Sequence, residues 1–323
     1  MLFKPEQPEL QDTFVYITIC YRQAVILLAI ENQEMFMDRI GIVTEETVDL
    51  LPEAIEEHQI AIVPAVLIWP EMKEIPGENT FQKMRELEKR GIKSFGKTSQ
   101  PTPSDFLTKY QHQIERFDKV LCVTLTSKLS GSYNSAVLAK TLLAPEEQRR
   151  VLVVDSLNAS CGQALVALKA IDLIKDGKEL EEVVKQLEEF VPHVHLFVMF
   201  QDPKWLEASG RISHTVASLM RGMARIGVRP MLTFKNGALI PAGLKTRAKD
   251  TAEVLFRQLE KDTEKARKGG KRIRMAITHG DDPEAALKLK RMAEELENIE
   301  VAFINIINNV VGVVTGPNTL AFA

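Results

Sequence analysis

Between residues 39 and 175 short apolar runs alternate with stretches of helical spacing, and this alternation constrains the fold more than any other feature. Residues 39–44 (RIGIVT), 60–69 (IAIVPAVLIW), 119–127 (KVLCVTLTS) and 150–156 (RVLVVDS) read as strands. Helical stretches fall near 50–57, 80–90, 106–117, 130–143 and 161–175. Strands separated by helices of about a dozen residues predict a parallel sheet with helices on both faces, a three-layer α/β lobe. Residues 97–105 (KTSQPTPSD) read as turn chemistry throughout, with Ser104 and Asp105 capping the next helix. Ligands of such sheets bind beyond the carboxyl ends of the strands. That rule puts Thr44, residues 127–132, Asp155 and Ser156 on one rim.

After a helix at 179–190 the pattern changes. A strand at 195–201 is followed by a hairpin, 228–234 and 238–242, around Lys235-Asn236-Gly237. Then come a helix (249–267), a strand (272–278), a helix (282–297) and a last strand (300–307). This reads as a smaller, mixed α+β lobe. The expected organisation is an N-terminal extension at 1–38, an α/β lobe at 39–192 and an α+β lobe at 193–323. Residues 14–30 are apolar but interrupted by Arg22 and Gln23, which is marginal for a membrane span. No small-residue cleavage site follows. The extension is read as an appended or mis-called start, with the working protein beginning near Met37; a peripheral membrane anchor is the alternative.

The 323 residues are 45% hydrophobic and 26% charged, with a formal net charge of -3. Nucleic acid is thereby disfavoured, because phosphate binding needs clustered cations. The run Arg267, Lys268, Lys271, Arg272, Arg274 is short and reads as a solvated loop. Cys20, Cys122 and Cys161 form no C-x-x-C pair, which argues for a reducing, cytoplasmic setting without disulfides or zinc. Cys161 stands at a helix start that favours a thiolate, yet it has no partner in pattern and reads as structural. There is no nucleophile elbow, P-loop, dinucleotide fingerprint or H-E-x-x-H, and the six histidines are dispersed. No metal or cofactor is expected, and no stable membrane insertion.

Hydroxyl groups crowd one strand-to-helix turn: Thr124, Thr126, Ser127, Ser130, Ser132 and Ser135. A strand feeding Ser-Gly-Ser into a helix exposes backbone N–H groups where the helix dipole favours an anion. Taken alone, Ser130 is better read as a helix cap, and Thr98 and Ser99 as turn hydroxyls.

Taken together the pieces resemble a known family. KTSQPTPSDF at 97–106 resembles the TSQPS-x-x-F signature of the DegV family of fatty-acid-binding proteins, and SKLSGSYNSA at 127–136 its S-x-LSG-[ST]-Y-x-SA. VVDSLNASCG (153–162), WLEASGRIS (205–213), GVRPMLTFKNGALIPAGLKTRAK (227–249) and GVVTGPNTLAF (312–322) continue the likeness in order. The resemblance implies a parallel α/β lobe joined to a smaller α+β lobe, with a long-chain fatty acid buried in a tunnel. It implies that Thr98 and Ser130 hold the carboxylate, with Arg211, Ser99 and Ser132 near the head group and Lys245 and Arg247 less so. It implies a carrier that presents the carboxylate to the catalytic subunit of a fatty acid kinase.

The energetics suit a carrier. Burying a sixteen-carbon chain releases on the order of 10 kcal/mol of gross transfer energy, so polar groups need only orient the carboxylate. Phe95, Leu125, Leu129, Val137, Phe200 and Met231 are candidate wall residues.

Two departures from the family pattern matter. Its opening T-D-S-S is here Thr44-Glu45-Glu46-Thr47, and its closing H-T-G-P-G is Val314-Thr315-Gly316-Pro317-Asn318. The histidine implicated in phosphotransfer is thus Val314, and His279 lies elsewhere in the pattern. Two other readings stay open: an enzyme on a small anionic metabolite with Asp155 or Glu45 as general base, and a lipid-binding module without phosphotransfer.

Overall fold

A computed structural model describes residues 38–212, 214–225, 228–246 and 250–323. Apart from Asp38, the extension at 1–38 with Cys20 therefore lies outside the described residues. In chain order the elements are β1 (Ile40–Glu45), α1 (Pro52–Glu57), β2 (Ala61–Val63), β3 (Val66–Ile68), α2 (Thr80–Lys89), β4 (Lys97–Ser99) and α3 (Pro103–Ile114). Next come β5 (Lys119–Thr124), α4 (Ser132–Thr141), α5 (Pro145–Gln148), β6 (Val151–Asp155), α6 (Ser160–Lys175) and α7 (Leu180–Phe190). The remainder is β7 (Phe197–Met199), α8 (Lys204–Ala208), α9 (His214–Arg225), β8 (Val228–Lys235), β9 (Ala238–Thr246) and α10 (Thr251–Lys268). It ends with β10 (Ile273–His279), α11 (Pro283–Glu294), β11 (Ile299–Ile306), α12 (Asn309–Thr315) and β12 (Leu320–Phe322).

β2-β1-β5-β6 form a parallel sheet, as the alternation predicts. Its residues divide by the strand period of two. Val43, Val120 and Cys122 pack with Phe106 and Tyr110 of α3 and Ala136 and Ala139 of α4. Ile42, Leu121 and Val123 face the other way, toward Cys161, Ala164 and Ala167 of α6. Cys122 and Cys161 are free and fully buried, and burial pushes both thiols up to about 12, so they pack rather than react.

The second sheet has the order β11-β10-β12-β7-β8-β9 and is mixed: β10 and β11 are parallel, and the other neighbours antiparallel. The Asn236-Gly237 hairpin forms where expected, with φ 50° and 79° at the two residues, both in the left-handed region that a type I′ turn requires. α6 packs against β5 of the first sheet and against β10 and β12 of the second. Its small residues, Gly162, Ala164, Ala167 and Ala170, are all buried. One apolar core therefore runs through both layers, from Ile42 and Val123 to Ala276, Phe303 and Ala321.

Four expectations need correction. Residues 60–69 are not one strand: Pro64 has no N–H for a ladder, and the chain leaves the sheet after Val63 to form β3. Residues 97–99 are not turn but strand, pairing antiparallel with β3 in a separate two-stranded ribbon. The α3 cap is Thr102, whose side chain accepts the Asp105 N–H while Asp105 accepts the Thr102 N–H, a capping box in place of Ser104-Asp105. The last strand is β12, three residues inserted between β10 and β7, rather than 300–307.

Candidate functional site

The parallel sheet delivers Glu45, Thr124 and Asp155 to its carboxyl rim, and the turn after β5 crosses above them. Backbone N–H groups of that turn are held by carboxylates. Leu125 donates to Glu45 Oε1 at 2.7 Å, and Ser127 donates to Asp155 at 3.2 Å. Ser132, at the first turn of α4, donates its hydroxyl to Glu45 Oε2 at 2.6 Å. Ser130 Oγ lies 2.8 Å from Ser132 Oγ and accepts the Ser132 N–H at 3.2 Å. Burial raises Glu45 from 4.5 to about 7, against the hydrogen bonds from Ser132 and Leu125 that lower it.

Beside this rim lies an apolar-walled cavity with about 760 Å³ of empty space, part of it open to solvent. Leu125 and Leu129 reach it from the β5–α4 turn, Phe200 and Leu206 from the segment around α8, Phe234 and Leu239 from the hairpin. Val310, Val311, Val314 and Thr315 of α12 close another side. The hairpin is fixed in place because the Thr126 hydroxyl donates to Gly237 O at 2.9 Å. α12 is fixed by Asn308, whose side chain accepts the Val311 N–H at 2.9 Å and whose N–H donates to Asp49 at 2.7 Å. Asp49 is fully buried, also accepts the Ser160 hydroxyl, and is raised by desolvation to about 6.

Arg211 and Thr98 are the polar pair on this wall that is not consumed internally. Arg211 donates to Thr98 Oγ1 at 3.1 Å and to Ser209 O at 3.0 Å. Among the described residues no carboxylate lies within ion-pair distance of the guanidinium, and its removal from water lowers its pKa. The Thr98 hydroxyl accepts from Arg211 and keeps its own proton to give. The other wall hydroxyls are spent: Ser160 on Asp49, Thr47 on Gln163, Thr315 on Val311 O and Thr319 on Thr315 O.

Thr98 and Arg211 thus come together on the cavity wall, and Ser130 and Ser132 come together one turn away. Gln100 joins the two groups: its Oε1 accepts the Gly131 N–H at 3.0 Å. Ser130 is half-buried and is not itself among the residues lining the cavity, although its neighbour Leu129 is. Ser99 is exposed, on the opposite face of β4 from Thr98. The Lys245 side chain and Arg247 lie outside the described residues.

Of the candidate wall residues, Leu125, Leu129 and Phe200 line the cavity. Phe95 is exposed against Trp205, Val137 is exposed on α4, and Met231 is buried in the core on the other side of the second sheet. Sequence reasoning missed Gln100 and the wall formed by α12. The closing GVVTGPN motif was the available signal for the latter.

Its glycines are explained by packing. A Cβ on Gly312 would stand 2.7 Å from Phe81, and one on Gly316 2.2 Å from Trp205. Asn318, where the family pattern has glycine, has φ 56°, a left-handed conformation that asparagine tolerates. His279 is nearly buried, accepts the Asp282 N–H at Nδ1 and does not line the cavity. A roomier hollow elsewhere mixes apolar side chains such as Leu165, Phe190 and Phe322 with two ion pairs, Arg274 with Asp172 and His195 with Asp262. No metal-binding cluster occurs, and no helix is long and apolar enough to cross a membrane, among the described residues.

The family described as "Uncharacterised protein, DegV family" matches residues 39–323. A fatty acid-binding protein of Thermotoga maritima is 30% identical over 293 residues, covering 88% of this chain and 96% of the relative. A solved DegV family protein from Thermus thermophilus, described by its fatty acid binding, superposes with a TM-score of 0.74 at 29% identity, covering 88% and 98% of the two chains. DegV of Bacillus subtilis, solved as a fatty acid binding protein, gives a TM-score of 0.71 at 25% identity over 88% and 98%. The two-sheet architecture, the six collinear motifs and a match running from residue 39 to residue 323 place this chain in the DegV family.

Proposed function

We propose that the protein is a lipid carrier that binds one long-chain fatty acid, with the tail in the apolar cavity and the carboxylate at Thr98 and Arg211. Ser130 completes the grip from the adjoining turn, with Ser132 behind it, whereas Ser99 faces away from Thr98 and takes no part. The observation that carries this reading is the Arg211–Thr98 pair: a cation without an anion among the described residues, beside a hydroxyl with a proton to give, on a largely apolar wall. A carboxylate ligand would give this half-buried guanidinium a charge-assisted partner. The fatty-acid binding of the Thermotoga and Thermus relatives supports the same ligand class. The lobes 39–192 and 193–323 share the cavity, and the working compartment is the cytoplasm.

The carboxylate is presented to a fatty acid kinase, which supplies the catalysis. A second reading, lipid binding without phosphotransfer, is favoured by one observation: the family's histidine position is Val314, and Val314 lines the cavity.

Native mass spectrometry of the purified protein tests both the ligand and its grip. A bound mass of fatty-acid size is expected in the native chain and is lost in the double variant Thr98→Ala, Ser130→Ala at unchanged melting temperature. Unchanged lipid stoichiometry in that variant refutes the head-group assignment. Transfer of phosphate from ATP to the bound lipid by a fatty acid kinase separates the two readings.

A further inference from the structure

Glu45, Ser132 and Ser130 form a line of hydrogen bonds from the buried sheet edge to the half-buried turn. The first link is Ser132 Oγ to Glu45 Oε2 at 2.6 Å, and the second is Ser130 Oγ to Ser132 Oγ at 2.8 Å. The other carboxyl oxygen, Oε1, accepts the Leu125 N–H at 2.7 Å, so a proton on Glu45 belongs on Oε2, facing Ser132.

Each hydroxyl has one proton to give. With Glu45 ionised, Ser132 spends its proton on Oε2, and its oxygen accepts from Ser130. Ser130 then has nothing to donate to a ligand. With Glu45 protonated, Oε2–H donates to Ser132, Ser132 turns its proton to Ser130, and the Ser130 proton is released outward.

We infer that Glu45 is a positioning residue for the head-group site: the proton on its Oε2 decides whether Ser130 donates into the turn or toward the carboxylate of the bound fatty acid. The inference rests on the reading that Ser130 helps to hold that carboxylate, and it adds the group that governs Ser130.

The surroundings put this switch near neutral pH. Burial, with repulsion from Asp155 on β6 as a smaller cause, raises Glu45 to about 7 against the hydrogen bonds from Ser132 and Leu125. Cys122 on β5 stays neutral because burial pushes its thiol up to about 12, and Tyr110 on α3 is raised well above its usual range. Glu46, next in the chain, accepts the Ala65 N–H. Among the described residues no Lys, Arg or His lies within ion-pair distance of Glu45.

Glu45→Gln tests the inference. The Leu125 N–H forces the new amide to present its oxygen there, so its NH₂ faces Ser132 and donates permanently, as protonated Glu45 does. Palmitate affinity is measured on the full chain for the native protein, Glu45→Gln and Ser130→Ala, between about pH 6 and about pH 8.5, with melting temperatures recorded alongside. The native affinity is expected to fall about tenfold across this range, the loss of one donor to a charged group. Glu45→Gln is expected to stay tight throughout, and Ser130→Ala to stay weak throughout. A Glu45→Gln profile that tracks the native one, or a full pH slope retained in Ser130→Ala, overturns the switch alone. Absence of palmitate binding in the native protein overturns the carboxylate reading with it. If Glu45→Gln does not fold, the Ser130→Ala slope decides.

Discussion

Arg211 donates to Thr98 Oγ1 at 3.1 Å across 113 positions of sequence, joining the loop after α8 to the β3–β4 ribbon. The contact leaves the guanidinium without a counter-ion among the described residues, on the wall of an apolar cavity. Arg211→Ala is expected to lower palmitate affinity between about tenfold and about a hundredfold, the usual span for a charge-assisted hydrogen bond. Arg211→Lys keeps the charge but loses the fork and is expected to recover only part. Calorimetric titration of both variants checks this, and native affinity in Arg211→Ala would remove the head group from this place.

Val314 faces the cavity without a polar role, so the space beside it is open to redesign. Val314→Phe adds bulk to the wall and is expected to shift the bound lipid to shorter chains. Native mass spectrometry reads this directly as lower bound masses. An unchanged mass distribution would mean that the tail does not pass this residue.

Glu45 is raised from 4.5 to about 7 by burial. The folded state therefore binds the proton more tightly than the unfolded chain does. Stability from this group is full below about 4.5, falls as pH rises toward 7, and is constant above it. Glu45→Gln removes the titration, so its stability relative to the native chain is expected to improve as pH rises from about 5 to about 8, by at most about 3 kcal/mol. Urea unfolding at the two pH values measures the difference. Asp49, raised to about 6, works in the same direction in both proteins and cancels in the comparison.

Two glycines separate site from scaffold. A Cβ on Gly131 would stand 2.3 Å from Gln100 Oε1, the end of a flexible side chain. Gly131→Ala is expected to displace Gln100 and weaken lipid retention while costing about 1 kcal/mol of stability or less. Gly316 has φ 84° and its Cβ would meet the buried Trp205 ring at 2.2 Å. Gly316→Ala is expected to cost more than about 2 kcal/mol, because both backbone and ring resist. Thermal unfolding paired with lipid stoichiometry distinguishes the two patterns.

The parallel sheet was legible because β1, β5 and β6 are apolar runs bounded by helix signals, whereas β2 was read too long because β3 follows it directly, and the hairpin was legible because Asn236-Gly237 permits few other turns. The ribbon was not. β3 and β4 have three residues each, largely exposed, and carry neither period strongly enough to register. α12 (NVVGVVT) is β-branched around a glycine, a poor helix by propensity, and is held instead by the Asn308 cap and its contact with Phe81. The motifs pointed to Thr98 and Arg211 separately. Their meeting, and the Gln100 link to Gly131, depend on tertiary approach that no local spacing records.

Among the described residues, Thr98 sits on the one strand pairing that belongs to neither sheet, and this has a mechanical consequence. The ribbon is joined by three residue pairs, Val66–Ser99, Leu67–Thr98 and Ile68–Lys97. A two-stranded pairing by itself is marginal in water, and beyond it the ribbon is held by Leu67 against the Trp69 and Trp205 cluster and by Arg211 on Thr98. Lifting it would detach Thr98 while both sheets and the helix shared between them stay whole, so under the proposed carrier reading a ligand enters and leaves at the cost of a flap rather than of the frame.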